Sequence, residues 1–453
     1  MRIVIIGGGM VGYAIAQQLT EEGHNLVLVE IDQHVADRIS DELDIMTICG
    51  NGVELPVLRE AGTQDSDLLI ACTPKDEQNI LACMFAKKLG CGNTIARVRS
   101  PEYSESIYLL KEDMGLSMIV NPEYTAAREI FKLMEIPTVL KRDTFAAGKV
   151  EIIELVSKPG DLFDGTQLSE LSKKIRSRIL ICTVQRGEKI CIPTGEFTLR
   201  AGDKIYICAP AAQIVKFLRS IGLHAGKVRD VMLIGGSRIA EYLLQLLLPI
   251  GTKVKVLESN KHRAELIAKN YPKATVICED GTSPVNLLAQ NVKEMDSVVT
   301  LTNIDEMNMI MSLYIKSFGV PQIITKVYHP DFFSMFPEND VDCIINPKKL
   351  CAESIVRYVR AMQNSGGSSV LTLHRLVDDK MEALEFSVTE STKYLGVPLK
   401  DIKLKPNILI TSINKKGVIT IPGGEHSFDV GDTVVIATTA GRAFVDMNDI
   451  FAR

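Results

Sequence analysis

The stretch Arg2-Ile3-Val4-Ile5-Ile6-Gly7-Gly8-Gly9-Met10-Val11-Gly12 decides how the rest of the chain reads. An apolar run rich in β-branched residues reads as a buried strand, and Gly-x-Gly-x-x-Gly follows it at once. Val11–Glu21 then carries a helical pattern, and a second apolar run, 25–30, ends in Glu30, 18 residues past Gly12. Strand, glycine loop, helix, strand and acid, in that order, form the fingerprint of a dinucleotide-binding βαβ unit. Gly7 is expected to allow the tight turn, Gly9 to let a pyrophosphate approach the backbone, and Gly12 to let the helix pack on the strand. The free N–H groups at the helix start offer partial positive charge to phosphates. A carboxylate at Glu30 can accept both hydroxyls of an adenosine ribose and would repel a 2′-phosphate. NAD or NADH is therefore favoured over NADP.

The pattern occurs twice. Val231–Ile234 is followed by Gly235-Gly236-Ser237-Arg238-Ile239-Ala240, 228 positions after the first loop. Thr73-Pro74-Lys75-Asp76-Glu77-Gln78-Asn79 returns as Thr302-Asn303-Ile304-Asp305-Glu306-Met307-Asn308, and Ile95-Ala96-Arg97-Val98 as Ile324-Thr325-Lys326-Val327, both 229 positions on. Asn121-Pro122 returns as Asn346-Pro347, and Arg200-Ala201-Gly202-Asp203 as Asp429-Val430-Gly431-Asp432. Motifs kept in order at near-constant spacing mark two copies of one unit of about 225 residues.

Each copy divides in two. In copy one, strands are expected near 2–6, 25–30, 45–48, 67–72, 94–98 and 117–120, with helices between them, such as Gln78–Leu89. Strands alternating with helices predict a Rossmann-like, doubly wound parallel sheet. Asn121 then caps a helix that has Pro122 at its first position. Four short strands follow in a small α+β module: Val150–Val156, Ile179–Gln185, Lys189–Ile192 and Lys204–Ala209. Copy two repeats them at Ala383–Val388, Ile408–Ile413, Val418–Ile421 and Thr433–Ala437. The fold class is thus α/β, with two tandem parallel sheets, each followed by a small module. The expected domains are 1–140, 141–225, 226–365 and 366–453. Lys141–Lys149 and Ser365-Gly366-Gly367-Ser368-Ser369 read as joints, and Ile221–Asp230 as the link between halves. Modules this small have limited cores, so Ile152–Val156 and Phe386–Val388 are expected to pack between chains.

Composition narrows the function. The 453 residues are 46% hydrophobic and 24% charged, with net charge -5. That mix is globular, and the absence of a basic block argues against nucleic acid. No apolar run approaches the ~20 residues of a membrane-spanning helix. The chain enters a strand at once, which leaves no room for a signal peptide. The ten cysteines are scattered, with no C-x-x-C pair and no zinc spacing, and are expected to be reduced thiols with no metal site.

Further candidates gather at the carboxyl edge of the expected sheet, where such folds bind ligands. Gly50-Asn51-Gly52 follows strand three, with Asp280-Gly281-Thr282 as its counterpart, and either turn or ligand roles suit these residues. Thr73 and Thr302 follow strand four. Arg97 and Lys326 lie on strand five, facing either ligand or solvent. Asn79 and Asn308 are expected to pin a helix rather than touch a ligand. In copy two, Ser237 and Ala240 replace glycines, Glu258 keeps the acid, and Arg238 adds a cation. Nucleotide binding and a purely structural copy both fit that half.

The order of GxGxxG, acid, G-N-G, T-x-x-D-E-x-N, A-R-V and N-P resembles the RCK or KTN domain. Two such copies in one chain, each with a small C-terminal module, resemble the tandem RCK/KTN family of regulators of bacterial Trk potassium uptake. The likeness covers essentially the whole sequence. It implies a cytoplasmic protein, peripheral on the inner membrane, that partners a TrkH- or TrkG-type potassium transporter subunit. It also implies binding of NAD(H) and of ATP or ADP, and homo-oligomers (dimers or tetramers) in a ring that gates the pore. By that likeness the contacts in copy one would be Gly7, Gly8, Gly9, Met10, Val11, Gly12, Glu30, Ile31, Asn51, Gly52, Thr73 and Arg97. Arg97 would meet a phosphate across a subunit interface. The copy-two positions are Gly235, Ser237, Arg238, Ile239, Glu258, Asp280, Gly281, Thr302 and Lys326.

Two other classes are weighed against this. An NAD-dependent oxidoreductase would need an acid/base group near the nicotinamide. The modules share no such constellation, and His374 and His426 sit at a strand edge and in a turn. No catalytic residue is therefore assigned, and the chain is expected not to be an enzyme. An interaction scaffold with vestigial sites is the third reading.

Overall fold

The computed structural model describes residues 1–100, 110–135, 141–145, 150–175, 177–222, 228–329, 343–364, 370–376, 381–439, 444 and 446–452. The proposed joint 365–369 lies outside them.

In copy one, β1 (Arg2–Ile6), β2 (Asn25–Glu30), β3 (Met46–Cys49), β4 (Leu68–Ala71), β5 (Asn93–Arg97) and β6 (Met118–Val120) form a sheet in the order β3-β2-β1-β4-β5-β6. Every pairing in it is parallel. The strand order reverses between β1 and β4, which opens a crevice at the carboxyl ends of the strands. Helices α1 (Met10–Glu21), α2 (Gln33–Leu43), α3 (Leu55–Glu60) and α4 (Asp76–Leu89) connect the strands. Both sheet faces are covered, so Ile3, Val4, Ile5 and Ile6 are all buried, as a near-continuous apolar strand requires. Asp32 caps α2 by accepting from His34 N at 2.9 Å. Helix α5 (Pro122–Glu135) starts where expected: Asn121 Oδ1 accepts from Tyr124 N at 2.9 Å.

The first module contains β7 (Lys141–Phe145), β8 (Val150–Val156), α6 (Leu168–Lys174), β9 (Leu180–Arg186), β10 (Lys189–Cys191), β11 (Lys204–Pro210) and α7 (Ala211–Ser220). Its antiparallel sheet runs β10-β9-β11-β8-β7. Part of the expected joint is therefore strand: Lys141–Phe145 pairs along β8 at the sheet edge. Its polar sequence suits an edge strand and gives little hydrophobic signal.

Copy two repeats both sheets. Strands β12 (Asp230–Ile234), β13 (Lys253–Leu257), β14 (Thr275–Ile277), β15 (Ser297–Thr300), β16 (Gln322–Lys326) and β17 (Cys343–Ile345) take the order β14-β13-β12-β15-β16-β17, all parallel. Their helices are α8 (Arg238–Leu247), α9 (Lys261–Asn270), α10 (Pro284–Ala289), α11 (Asp305–Lys316) and α12 (Pro347–Asn364). The second module holds β18 (Val370–Leu376), β19 (Met381–Ser387), β20 (Ile408–Lys415), β21 (Val418–Thr420) and β22 (Thr433–Thr439), in the order β18-β19-β22-β20-β21. The edge strand β18, like β7, goes beyond the four strands expected.

Like pairs with like. One compact unit joins Met1–Phe131 with Arg229–Val356, and the other joins Lys132–Val228 with Arg357–Arg453. In the second unit, Val150, Ile152, Cys182, Tyr206 and Cys208 share one core with Met381, Ala383, Val435 and Ala437. The expected packing of Ile152 between chains is thus met within the chain, by the sister module. Ile153 and Leu155 fill their own module's core, as do Phe386 and Val388 in theirs. The two modules enlarge one another's buried area, which a sheet this small needs. All ten cysteines are free thiols.

Candidate nucleotide-binding site

Backbone geometry builds the first site. Gly7 has φ +98, and its N–H donates to Val29 O at 2.8 Å, so the chain leaves β1 in a turn that only glycine adopts without strain. Gly9 stands at the N-cap of α1 in extended conformation, with open space where a Cβ would project. A Cβ on Gly12 would lie 1.9 Å from the Gly7 carbonyl oxygen. Of the three glycines, Gly12 therefore serves helix-to-strand packing, while Gly9 leaves the helix start uncovered. Val11 is buried and Met10 is exposed.

Glu30 closes the loop from the other side. Its Oε2 accepts from Gly8 N at 2.5 Å, and its Oε1 accepts from Ile31 N at 2.8 Å and Asp32 N at 3.2 Å. A carboxylate offers about four acceptor positions, so one lone pair stays open. Beside it, Ile31 is 71% exposed, an uncovered apolar side chain at the crevice.

The other first-copy candidates converge here through the backbone. Gly50 N donates to Glu30 O at 2.8 Å. A Cβ on Gly52 would fall 2.1 Å from Ile6 Cγ2, so Gly52 is fixed by close approach of β1. Asn51 Oδ1 accepts from Val53 N at 3.3 Å, which is turn chemistry. Thr73 N donates to Asn79 Oδ1 at 2.8 Å, while Asn79 Nδ2 donates to Thr73 O and to Arg97 O. Asn79 thus ties the ends of β4 and β5 together, as a pin and not a surface residue. Arg97 is largely buried rather than solvated. A guanidinium nitrogen lies 3.9 Å from Glu123 Oε1, and Nε has no hydrogen-bond partner.

Copy two keeps the scaffold and changes its lining. Gly235 has φ +104, and Gly236 N donates to Glu258 Oε2 at 2.7 Å. Ser237 takes the same extended conformation as Gly9, and its buried Oγ is unpartnered. Ile239 is buried and Arg238 exposed. Asp280 accepts from Thr282 N and Oγ1, and these bonds hold its carboxyl below the usual carboxylate range. A Cβ on Gly281 would meet Ile234 Cγ2, repeating the Gly52 packing. Thr302 and Asn308 repeat the Thr73–Asn79 pin.

Lys326 departs from the solvent-facing role. It is 1% exposed, its Nζ sits 4.6 Å from the Tyr328 ring centroid, and burial pushes its pKa down to about 8. It does not face solvent.

Sequence reasoning missed two groups. Arg263 donates from Nε to Gly236 O at 2.8 Å and pairs with Glu241, bracing the second glycine loop with a pair that has no counterpart in copy one. Lys348 is 6% exposed, and its Nζ lies 2.6 Å from Met10 Sδ, at the first residue of α1 in the other copy. The change from Asn121-Pro122-Glu123 to Asn346-Pro347-Lys348 was the signal that could have drawn attention to it.

A twice-repeated glycine loop on a doubly wound sheet, each copy followed by a small antiparallel module, defines a tandem Rossmann-like architecture. The TrkA-N domain matches residues 3–122 and 231–347, and the TrkA-C domain matches 152–222 and 383–443. The chain belongs to the TrkA family of Trk-system potassium uptake proteins. The Trk system potassium uptake protein TrkA homolog of Archaeoglobus fulgidus is 30% identical over 436 residues, covering 96% of this chain and 97% of that one. TrkA of Azorhizobium caulinodans is 27% identical over 449 residues, covering 97% and 96%. Among solved structures, the GsuK RCK domain is similar with TM-score 0.63 and 16% identity, covering 97% of this chain and 92% of that one. The GsuK channel bound to NAD gives 0.61 and 17%, covering 97% and 77%. These two likenesses show the fold. Among the described residues no helix is long and apolar enough to cross a membrane, and no metal-binding cluster is present.

Proposed function

We propose that the chain is the cytoplasmic, nucleotide-binding regulatory subunit of a Trk-type potassium uptake system. It acts as a homo-oligomer against a TrkH- or TrkG-type membrane subunit on the cytoplasmic face of the inner membrane, and it regulates without catalysing a reaction. The observation that carries this reading is the uncovered start of α1 at Gly9, with the Glu30 carboxylate held beside it. The pyrophosphate of NAD(H), ATP or ADP lies on the α1 amides. One ribose hydroxyl takes the acceptor position that Glu30 keeps open, rather than both hydroxyls as the sequence alone suggests, and the adenine lies over Ile31, with Asn51, Gly52 and Thr73 completing the crevice. The similar GsuK channel was solved bound to NAD, which supports a dinucleotide as one ligand. In copy two, Gly235, Ser237, Arg238, Ile239, Glu258, Asp280, Gly281, Thr302 and Lys326 hold the equivalent positions.

Regulation follows from differential affinity. A nucleotide shifts the assembly only as far as it binds one conformation more tightly than another. ATP carries a terminal phosphate that ADP lacks, and Arg97, supplied across a subunit interface, reads it. The test is calorimetric titration with NADH, NAD, ATP and ADP, followed by potassium flux through the co-purified membrane subunit. Saturable binding and nucleotide-dependent flux are expected. Failure of all four ligands at millimolar concentration would discard the reading.

A further inference from the structure

The two sheet domains of the first unit meet through corresponding corners. The corner of copy one, Asn121-Pro122-Glu123, packs on the first turns of α8. Asn121 Nδ2 donates to the Tyr242 hydroxyl at 2.8 Å, and the rings of Tyr124 and Tyr242 meet edge-on at 5.3 Å. The corner of copy two, Asn346-Pro347-Lys348, reaches the start of α1, where Lys348 Nζ lies 2.6 Å from Met10 Sδ. Glu123 and Lys348 hold the same position in the two copies, with opposite charge.

The partners of Lys348 leave its charge unspent. Its Nζ is held 4.6 Å from the Tyr328 ring centroid and 3.3 Å from Tyr328 O, and no carboxylate bonds it among the described residues. An ammonium carries three donors, and a thioether and a ring face are weak acceptors. A buried cation without a bonded carboxylate, set against a helix start that already favours negative charge, is a strong attractor for phosphate.

We propose that Lys348, carried by the second copy, is a phosphate-binding residue of the first copy's nucleotide site. The inference rests on the nucleotide reading of that site. Glu123, at the same position of the other corner, brings the second copy no such cation: its carboxylate faces Arg97, with Oε1 3.9 Å from a guanidinium nitrogen. With Ser237 in place of Gly9 and no lysine at the matching corner, the second copy is the weaker phosphate site.

The test is equilibrium titration of the full chain, free of divalent metal, with ADP and with adenosine, which has no phosphate. Lys348→Met is expected to weaken ADP by about tenfold or more and to leave adenosine within about twofold. Lys348→Arg is expected to keep ADP within about threefold. Unchanged ADP affinity in Lys348→Met, or two equivalent ADP sites per chain, would overturn the inference while the nucleotide reading stands. A wild-type chain that binds neither ligand would remove that reading and this inference with it. Should Lys348→Met not fold, pH separates the cases. Burial lowers the Lys348 pKa to about 8, with Asp305 and Lys326 facing it. Wild-type ADP affinity should fall as pH rises above that value, more steeply than in Lys348→Arg. Equal pH profiles would overturn the inference.

Discussion

Both ends of the Asn79 amide grip the backbone of Thr73: Oδ1 accepts its N–H at 2.8 Å and Nδ2 donates to its carbonyl at 3.0 Å. A third bond, to Arg97 O at 2.9 Å, ties the same side chain to β5. Asn79 is fully buried, so truncation leaves these backbone groups without partners. Asn79→Ala should cost about 2–3 kcal/mol in a chemical denaturation curve. The freed Thr73 turn should also weaken nucleotide binding. A loss below about 0.5 kcal/mol would show that water replaces the amide.

Two glycines of one loop should respond in opposite ways. Gly12→Ala drives a methyl into the Gly7 carbonyl and should destabilise the chain by about 3 kcal/mol or more. Gly9→Ala meets nothing in the protein and keeps an extended backbone, so its thermal midpoint should hold while NADH affinity drops. Thermal melts with and without NADH separate the two effects.

Glu30 bonds three backbone N–H groups, and one acceptor position remains. Glu30→Ala should weaken adenosine by more than about tenfold, since it removes both the ribose acceptor and the brace of the loop. Glu30→Gln keeps one acceptor oxygen and should fall between. Titration of both variants with adenosine checks the order.

Lys326 gives a pH signature. Its pKa falls from 10.5 to about 8 on folding, chiefly through burial, so the unfolded chain binds more protons between those values. This group's penalty is largest below pH 8 and is relieved as pH rises towards 10.5. Lys326→Met should therefore be more stable than wild type at pH 7, by up to roughly 3 kcal/mol, and lose that advantage by pH 10. Denaturant midpoints of both proteins across pH 7–10 measure it. A constant difference would mean that Lys326 stays charged throughout.

Much of the fold was legible because apolar periodicity and glycine spacing are local signals. β1, the glycine loop and Glu30 declare one another within thirty residues. The duplication made each weak motif checkable against its twin. What escaped was set by contacts distant in sequence. β7 and β18 are edge strands, one of them strongly polar, whose identity depends on the neighbour they pair with. The burial of Lys326 depends on Tyr328 and the packed corners around it, so its chemical type suggested solvent. Lys348 meets Met10 across more than 300 residues, and no periodicity reports that.

The opposed charges at Glu123 and Lys348 have a consequence for how such a protein can change. Two identical single-copy subunits are encoded once, so any substitution appears at both ends of their shared axis. Fusion into one polypeptide lifts that constraint. One half is free to specialise as receptor while the other becomes its clamp, and a single codon can retune one role without touching the other.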